Sequence, residues 1–314
     1  MIRAWQLLHN EMIKIYKRKM FWIMLIILAG IIVLLAAVVA KDAEDHSNWR
    51  QELQKEMTAK QSNDSPPDDS LMMPNEDPAL YQYQLDHNIP PLYGDTVFGF
   101  MNMSHDITFV IVTVFIVIIG GSIVSQEYSW GTIKLLLIRP IHRWKILLAK
   151  FLAVVVTGVV LLLIDLALTF IISGIFLGFD MGADRYVYMK GNHIHDVSIL
   201  YHFLQLFGSA LVDLIIMGAF AFMLSTLFKN NALAIGLSVF LFFAGPVVVG
   251  ILSSLHLDVA KYLFFLNTDL YQYVEGTHFL KDTTLGFSIA VLLVYFILFM
   301  LVSFYTFAKR DVTD

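Results

Sequence analysis

Long apolar runs alternate with polar segments along the whole chain, and this pattern predicts the architecture. Each run holds 18 or more nearly charge-free residues, and a helix of that length crosses roughly 30 Å of hydrocarbon. The runs are continuously apolar rather than alternating, which favours helices over a β-barrel. We therefore predict an all-α membrane protein with six transmembrane helices, at residues 20–40, 107–125, 146–177, 200–228, 232–255 and 285–307.

The segment before the first span has its own helical pattern. Residues 1–19 place Trp5, Leu8, Met12 and Ile15 at helical spacing, and basic residues follow them. An apolar stripe flanked by cations is typical of an interfacial helix in the headgroup layer. A straight extension of the first span is the alternative.

Three polar segments are expected on the outer side of the membrane. Residues 41–105 form an acidic extracellular loop, which is either a passive tether or a soluble sensor or cap, and residues 178–199 form a shorter loop. Residues 256–284 carry Leu, Phe and Tyr near helical spacing but are too short and too polar to cross. They predict a re-entrant or interfacial helix before the sixth span.

The distribution of basic residues predicts the orientation. The connection at residues 126–145, between the second and third spans, is strongly basic and has Glu127 as its single acid. With both termini inside, the cytoplasmic segments carry more than half of the 21 Lys and Arg residues, as the positive-inside tendency requires. Residues 1–19, the connection and the tail at residues 308–314 are therefore predicted to be cytoplasmic.

The composition limits the chemistry of the chain. It is 58% hydrophobic and 15% charged, whereas soluble domains average about 25% charged residues. The lack of cysteine excludes disulfides and thiolate metal sites. Neither G-x-x-x-x-G-K-[ST] nor H-E-x-x-H occurs, so we expect no enzyme activity, metal or cofactor on this chain. His193 and His195 have H-x-H spacing, but exposed histidines without a third ligand are usually plain surface.

Two acids interrupt the predicted spans, Asp165 in the third and Asp213 in the fourth, at comparable depths. A carboxylate near the bilayer centre costs on the order of 2.5–3.5 kcal/mol, so it should face protein or water. A shared proton, a relay or a polar conduit would explain the pair, and so would one packing hydrogen bond for each. A membrane aspartyl protease also needs two such acids, but the Gly-x-Gly-Asp signature of the commonest such family is missing.

Apolar side chains interleave with the cations of residues 126–145. Gly131 permits a bend after the second span, and Pro140 ends any helix before the third. A short amphipathic helix over about residues 129–138 would present side chains to a partner groove. We interpret the connection as a docking site for a separate motor protein; fixing topology and touching anionic lipid is the alternative.

At these residues the chain resembles the permeases of ABC-2 type exporters. The shared pattern is an acid, Gly-Thr, a leucine run, Arg-Pro and a basic residue ahead of a Lys-bearing helix, here Glu127, Gly131-Thr132, Leu135-Leu136-Leu137, Arg139-Pro140, Arg143 and Lys150. The resemblance extends to the interfacial helix, the six spans and the excursion before the sixth. His142 stands where a small hydroxyl residue is more usual, and the 41–105 loop exceeds that of minimal members.

The resemblance implies a cytosolic ABC ATPase subunit, carrying ATP and Mg, that binds a coupling helix in this connection. It also implies two permease chains, identical or different, that form the pore in a bacterial cell (plasma) membrane. The residues implied in ATPase coupling are Glu127, Ser129, Trp130, Gly131, Thr132, Lys134, Leu135, Leu136, Arg139 and Arg143. The aromatic outer segments favour an amphipathic cargo such as a peptide antibiotic or drug; membrane lipid is a further partner, and nucleic acid is not expected.

Two other functions fit the same residues. One is an ion-gradient-driven secondary transporter that uses Asp165 and Asp213. The other is a sensor or immunity protein that transports nothing and detects a peptide antibiotic through residues 41–105.

Overall fold

A computed structural model of the chain describes residues 4–44, 46–61, 78–133, 141–255, 257–276 and 283–309. Almost all regular structure in these residues is helical. The helices are α1 (Ala4–Tyr16), α2 (Lys19–Val39), α3 (Trp49–Gln61), α4 (Pro78–His87), α5 (Val97–Ser122), α6 (Ser125–Ser129), α7 (Arg143–Leu177), α8 (Ile199–Leu227), α9 (Asn231–Ser254), α10 (Phe264–Asn267), α11 (Gln272–Glu275) and α12 (Leu285–Lys309). The strands are β1 (Arg185–Lys190) and β2 (His193–Ser198).

Six helices in the described part of the chain are long and apolar enough to cross a membrane, namely α2, α5, α7, α8, α9 and α12. Five of them begin and end within three residues of the predicted spans. The prediction of an all-α membrane protein with six such helices is confirmed. The orientation of the termini stays a prediction.

The helix α5 begins ten residues before the predicted second span, which corrects the boundary at residue 107. Residues 97–105 therefore belong to this helix and not to the 41–105 loop. Thr96 caps the start of α5, because its hydroxyl accepts a hydrogen bond from the Gly99 amide at 3.2 Å. The polar residues of the first turns suggested a loop, but Asn102 has a partner across the bundle, the imidazole of His202 at 2.7 Å.

The long helices share one core. Helices α5, α7 and α8 pack together at its centre, and α2, α9 and α12 lie against them with largely exposed outer faces. Gly120 brings α5 close to α8, because a Cβ there would lie 3.2 Å from the Gly218 carbonyl oxygen. Such contacts between small residues are a common way of packing membrane helices.

The two ends of this bundle differ. The end that carries α1, α6 and the C-terminal end of α12 is called the α1 end, and the opposite end, with β1 and β2, is called the hairpin end. At the α1 end, Arg18 has an extended conformation (φ −75°, ψ 133°) that separates α1 from α2. The first helix is thus distinct from the first span and packs against α7.

The hairpin end contains structure that the sequence reading missed. Residues 178–199 were expected to be a loop, but β1 and β2 form an antiparallel pair with Arg185 opposite Ser198 and Lys190 opposite His193. Gly191, with φ 62°, allows the tight turn. Each strand has only six residues, too few for a strong periodic signal.

The 41–105 segment packs on this hairpin where it is described. Leu80 and Ile89 form a small apolar cluster with Val187 of β1. His46 stacks on Tyr93 at 3.6 Å between ring centroids, and its Nε2 lies 2.8 Å from Asp95. These contacts favour a folded cap over a passive tether.

The described residues 257–276 fold back against the long helices. The Phe264 ring contacts Phe220 of α8 and Phe299 of α12, at 5.3 Å between centroids in both cases. The Phe265 ring covers Gly245 of α9, where a Cβ would lie 2.5 Å from it. The chain therefore enters the space between α9 and α12 before α12 begins.

Candidate functional site

Two features of the structure stand out as candidates, and they lie at opposite ends of the bundle. The first is at the α1 end, where the connection predicted to bind a motor protein begins. The short helix α6 is held to α8 there, because Ser225 Oγ accepts hydrogen bonds from the amides of Val124 and Ser125 at 3.1 and 3.0 Å. Ser125 Oγ in turn donates to the Gly121 carbonyl at 2.8 Å.

A set of four charged residues, three of them buried, joins α1, α6 and α7 and is called the charge cluster. Its members are Glu11, Lys14, Glu127 and Lys150. Lys150 Nζ lies 2.7 Å from Glu11 Oε2 and 2.6 Å from Glu127 Oε1. Lys14 Nζ lies 2.6 Å from Glu11 Oε1 and 3.4 Å from Glu127 Oε1.

The charge cluster has two acids and two lysines, and all of its members except Lys14 are buried. Lys150 is only 1% exposed, so its ammonium depends on the two carboxylates for compensation. Burial alone would raise the pKa of Glu11, but Lys150 and Lys14 beside it hold that pKa below its ordinary value. Burial would likewise lower the pKa of Lys14, and Glu11 and Glu127 raise it instead.

The structure separates the predicted coupling residues into distinct places. The Glu127 carboxylate points into the charge cluster and is not a surface group. Ser129 Oγ ties α6 to the start of α9, since it donates to the Lys229 carbonyl and accepts from the Asn231 amide, both at 3.0 Å. Arg143 Nη1 donates to the Ala308 carbonyl of α12 at 3.1 Å.

The turn after α6 faces outward. Trp130 is 66% exposed, Gly131 and Thr132 are exposed, and Gly131 has φ 70°. Of the predicted helix over residues 129–138, the structure describes only residues 129–133. In this part α6 ends at Ser129, and a turn follows it. The predicted coupling residues Lys134, Leu135, Leu136 and Arg139 lie outside the described residues.

Sequence reasoning missed Glu11 and Lys14 as members of this site. A usable signal existed, because Glu11 is the single acid of residues 1–19 and Glu127 is the single acid of residues 126–145. A lone acid in a basic segment beside the membrane needs a nearby cation, and Lys150 lies just inside the third span. The chain positions alone do not show that these three residues meet.

The second feature is a cavity of about 920 Å³ that extends from the hairpin end into the bundle. Its walls come from α4, residues 90–94, α5, β1, α8, α9 and the folded-back residues 265–275. Asp213 of α8 lines it together with Thr113 and Thr268. This acid lies 14 residues into α8, about 20 Å from the start of that helix.

Asp165 has a different environment from Asp213. Its Oδ2 accepts a hydrogen bond from Thr108 Oγ1 of α5 at 3.1 Å. It is buried but is not among the described residues that line the cavity. Within the described structure the two acids make no hydrogen bond with each other. In this arrangement they therefore do not share a proton directly.

Hydrogen bonds and stacked rings organise the cavity wall at the hairpin end. His202 Nε2 lies 2.7 Å from Asn102 Oδ1, and its Nδ1 lies 2.8 Å from the Tyr271 hydroxyl. The imidazole stacks on Tyr186 at 3.8 Å, and the Tyr186 hydroxyl donates to Glu275 Oε1 at 2.8 Å. Burial, reinforced by Glu275, raises the pKa of Tyr186, so this hydroxyl keeps its proton.

His193 and His195 lie on β2, and His195 stacks on Tyr188 at 5.3 Å. Among the described residues, no three His, Asp or Glu side chains are grouped so that they could hold a metal ion. The structure therefore offers no third ligand for this pair in the part of the chain that it describes.

Replacing Lys150 by Met should destabilise the protein strongly, because the buried carboxylates of Glu11 and Glu127 would lose the buried one of their two shared cations. The free energy of unfolding should fall by about 3–5 kcal/mol. The exposed Lys145, one turn earlier on the same helix, supplies the control variant Lys145→Met, which should change it by less than about 0.5 kcal/mol. Thermal unfolding of both variants in detergent measures the difference, and equal melting temperatures would contradict this role of Lys150.

The lowered pKa of Glu11 predicts a dependence of stability on pH. The ionised Glu11 contributes its full stabilisation above about pH 4.5, the ordinary value, and loses it as pH falls through the lower pKa of the folded protein. The wild type should therefore lose more unfolding free energy than Glu11→Gln between about pH 5 and pH 3. Chemical unfolding across this range tests the claim, and parallel pH profiles would refute it.

Comparisons with known proteins show the family. The profile of the family described as "Protein of unknown function (DUF2705)" matches residues 69–313. The chain is 36% identical over 314 residues to "Uncharacterized protein YhcI" of Bacillus subtilis (strain 168). That match covers 98% of this chain and 99% of the Bacillus subtilis protein. It is 32% identical over 197 residues to "Uncharacterized membrane protein YdbK" of the same organism, covering 62% of this chain and 76% of that protein. The chain therefore belongs to the DUF2705 family.

Proposed function

We propose that this chain is the membrane-spanning permease subunit of an ATP-binding-cassette exporter in a bacterial cell membrane. The observation that carries the proposal is the exposed turn at Trp130, which α6 and the charge cluster attach to four helices of the bundle. A surface that receives force from a motor needs such rigid attachment. An exposed Trp also suits such a surface, because Trp is prominent among the residues that dominate binding at protein interfaces.

The contacts of α6 and the charge cluster provide a route by which a movement of the turn could reach other helices. A displacement of the turn would reach α7 through the Glu127–Lys150 ion pair and α8 through Ser225. It would reach α9 through Ser129 and α1 through Glu11. These helices are stiff, since their backbone groups are paired internally. In this proposal the motor therefore moves helices that line the cavity at the opposite end.

The orientation in this proposal follows the charge pattern. The α1 end, with its basic segments, faces the cytoplasm, and the hairpin end faces outward. Residues 257–276 then form a re-entrant segment that enters from the outer side. A separate cytosolic subunit would bind ATP and Mg and hydrolyse the nucleotide, while two copies of the permease, identical or different, would enclose the pathway.

An ion-gradient transporter is the second candidate, because Asp213 lines a cavity within the helix bundle. Such a carrier would work without a nucleotide-hydrolysing partner, and a sensor that transports nothing would also lack it. Association with an ATPase therefore separates the exporter from both alternatives, and ion-driven transport in vesicles separates the carrier from the sensor.

Replacing Trp130 by Ala should weaken the association with the ATPase subunit. The tagged chain is purified from its source bacterium, and both the ATPase bound to it and the Mg-ATP hydrolysis of the complex are measured. Loss of a central Trp contact should reduce the bound ATPase by roughly 30-fold. Trp5→Ala removes another exposed Trp at the same end and serves as the matched control. Equal association of both variants, or transport by the isolated chain, would contradict the proposal.

A further inference from the structure

Acidic residues outnumber basic residues in the described lining of the cavity. Among its described lining residues, the acids are Asp106, Asp213, Asp269 and Glu275, and the one permanently charged cation is Arg185. Arg185 is already paired, since its Nε donates to Asp196 Oδ1 at 2.6 Å. The described lining therefore presents more carboxyl groups than basic groups to whatever enters the cavity.

A buried acceptor in the wall gives an independent indication of a ligand. Gln84 of α4 lines the cavity and is only 6% exposed. Its Oε1 receives no hydrogen bond from the described residues. A buried acceptor left without a donor lowers the stability of the folded protein, and a ligand that carries N–H or O–H groups would supply the missing donor.

The rest of the lining is apolar and aromatic. Phe109 of α5, Met217 of α8, Phe242 and Pro246 of α9, and Phe265 of the folded-back segment all contribute to it. A volume of about 920 Å³ is in the range of sites that enclose one drug-sized molecule, roughly 300–1,000 Å³. A bare metal ion does not need these walls, and the described residues provide no group of three ligands for one.

We infer that this cavity binds an organic cation of drug size, with an N–H-bearing positive group and an aromatic or aliphatic body. The body packs against the aromatic walls, and the positive group pairs with the carboxyl groups and donates to Gln84. The further statement that this cation is an exported cargo rests on the proposed function. The statement that the cavity binds it does not depend on an ATPase.

The test uses the purified full chain in lipid nanodiscs, with neither ATPase nor nucleotide. The probes are rhodamine 6G, a cationic xanthene dye with N–H groups, and fluorescein, an anionic dye with the same ring system. Fluorescence polarisation should show saturable binding of rhodamine 6G and at least tenfold weaker binding of fluorescein. Asp213→Asn and Asp269→Asn should each weaken rhodamine 6G binding roughly tenfold. Asp258→Asn, which removes an exposed acid outside the cavity, should leave it unchanged.

A second readout tests the inference even if the Asp213→Asn and Asp269→Asn variants fail to fold. The chain has no cysteine, so a single introduced thiol reports on one position. Ser209→Cys lies in the cavity wall, and Ser254→Cys lies on the exposed end of α9 outside it. Rhodamine 6G should slow maleimide labelling of Ser209→Cys and not of Ser254→Cys.

These outcomes separate the two proposals. Equal affinity for both dyes, or labelling of Ser209→Cys that rhodamine 6G does not slow, would overturn the inference even if an ATPase copurifies with the chain. Selective, carboxylate-dependent binding of rhodamine 6G would support the inference even if no ATPase is found, in which case only the proposed exporter role would fail.

Discussion

A single buried ammonium, that of Lys150, holds the α1 end together. It lies between the carboxylates of Glu11 and Glu127, at 2.7 and 2.6 Å, and these three residues come from three separate helices. Removing a charge from water is costly unless partners compensate it, so the helices must stay close for the lysine to remain where it is. This constraint fixes α6, and α6 in turn fixes the exposed turn at Trp130.

The two ends of the bundle have complementary properties. The α1 end is basic in sequence, and each charged residue of its charge cluster has an ion-pair partner, which makes this end suited to stable attachment. The hairpin end has a cavity whose carboxyl groups exceed its cations, with aromatic side chains around them. Helices α5, α8 and α9 take part in both regions. The account of function rests on this continuity, because movement of the attached end must displace residues that surround the cavity.

The sequence was sufficient for features that are local. An apolar run of helical length is visible in any single segment, and the six spans were predicted for that reason. The start of α5 was misplaced because it depends on the Thr96 cap and on the contact between Asn102 and His202, which lie 100 residues apart in the chain. The hairpin was missed because its strands are short. The position of Asp165 and Asp213 within two spans could be read from the sequence, but their different surroundings depend on how the helices are rotated.

The claim that the turn after α6 receives a motor protein is tested most directly by photo-cross-linking in living cells. Trp130 is replaced by a photoreactive benzoylphenylalanine, and Tyr262, exposed at the hairpin end, is replaced in the same way as a reference. The account predicts that position 130 cross-links to a protein carrying the G-x-x-x-x-G-K-[ST] phosphate loop and that position 262 does not. Cross-links from position 130 to lipid alone, or to proteins outside the cell, would contradict it.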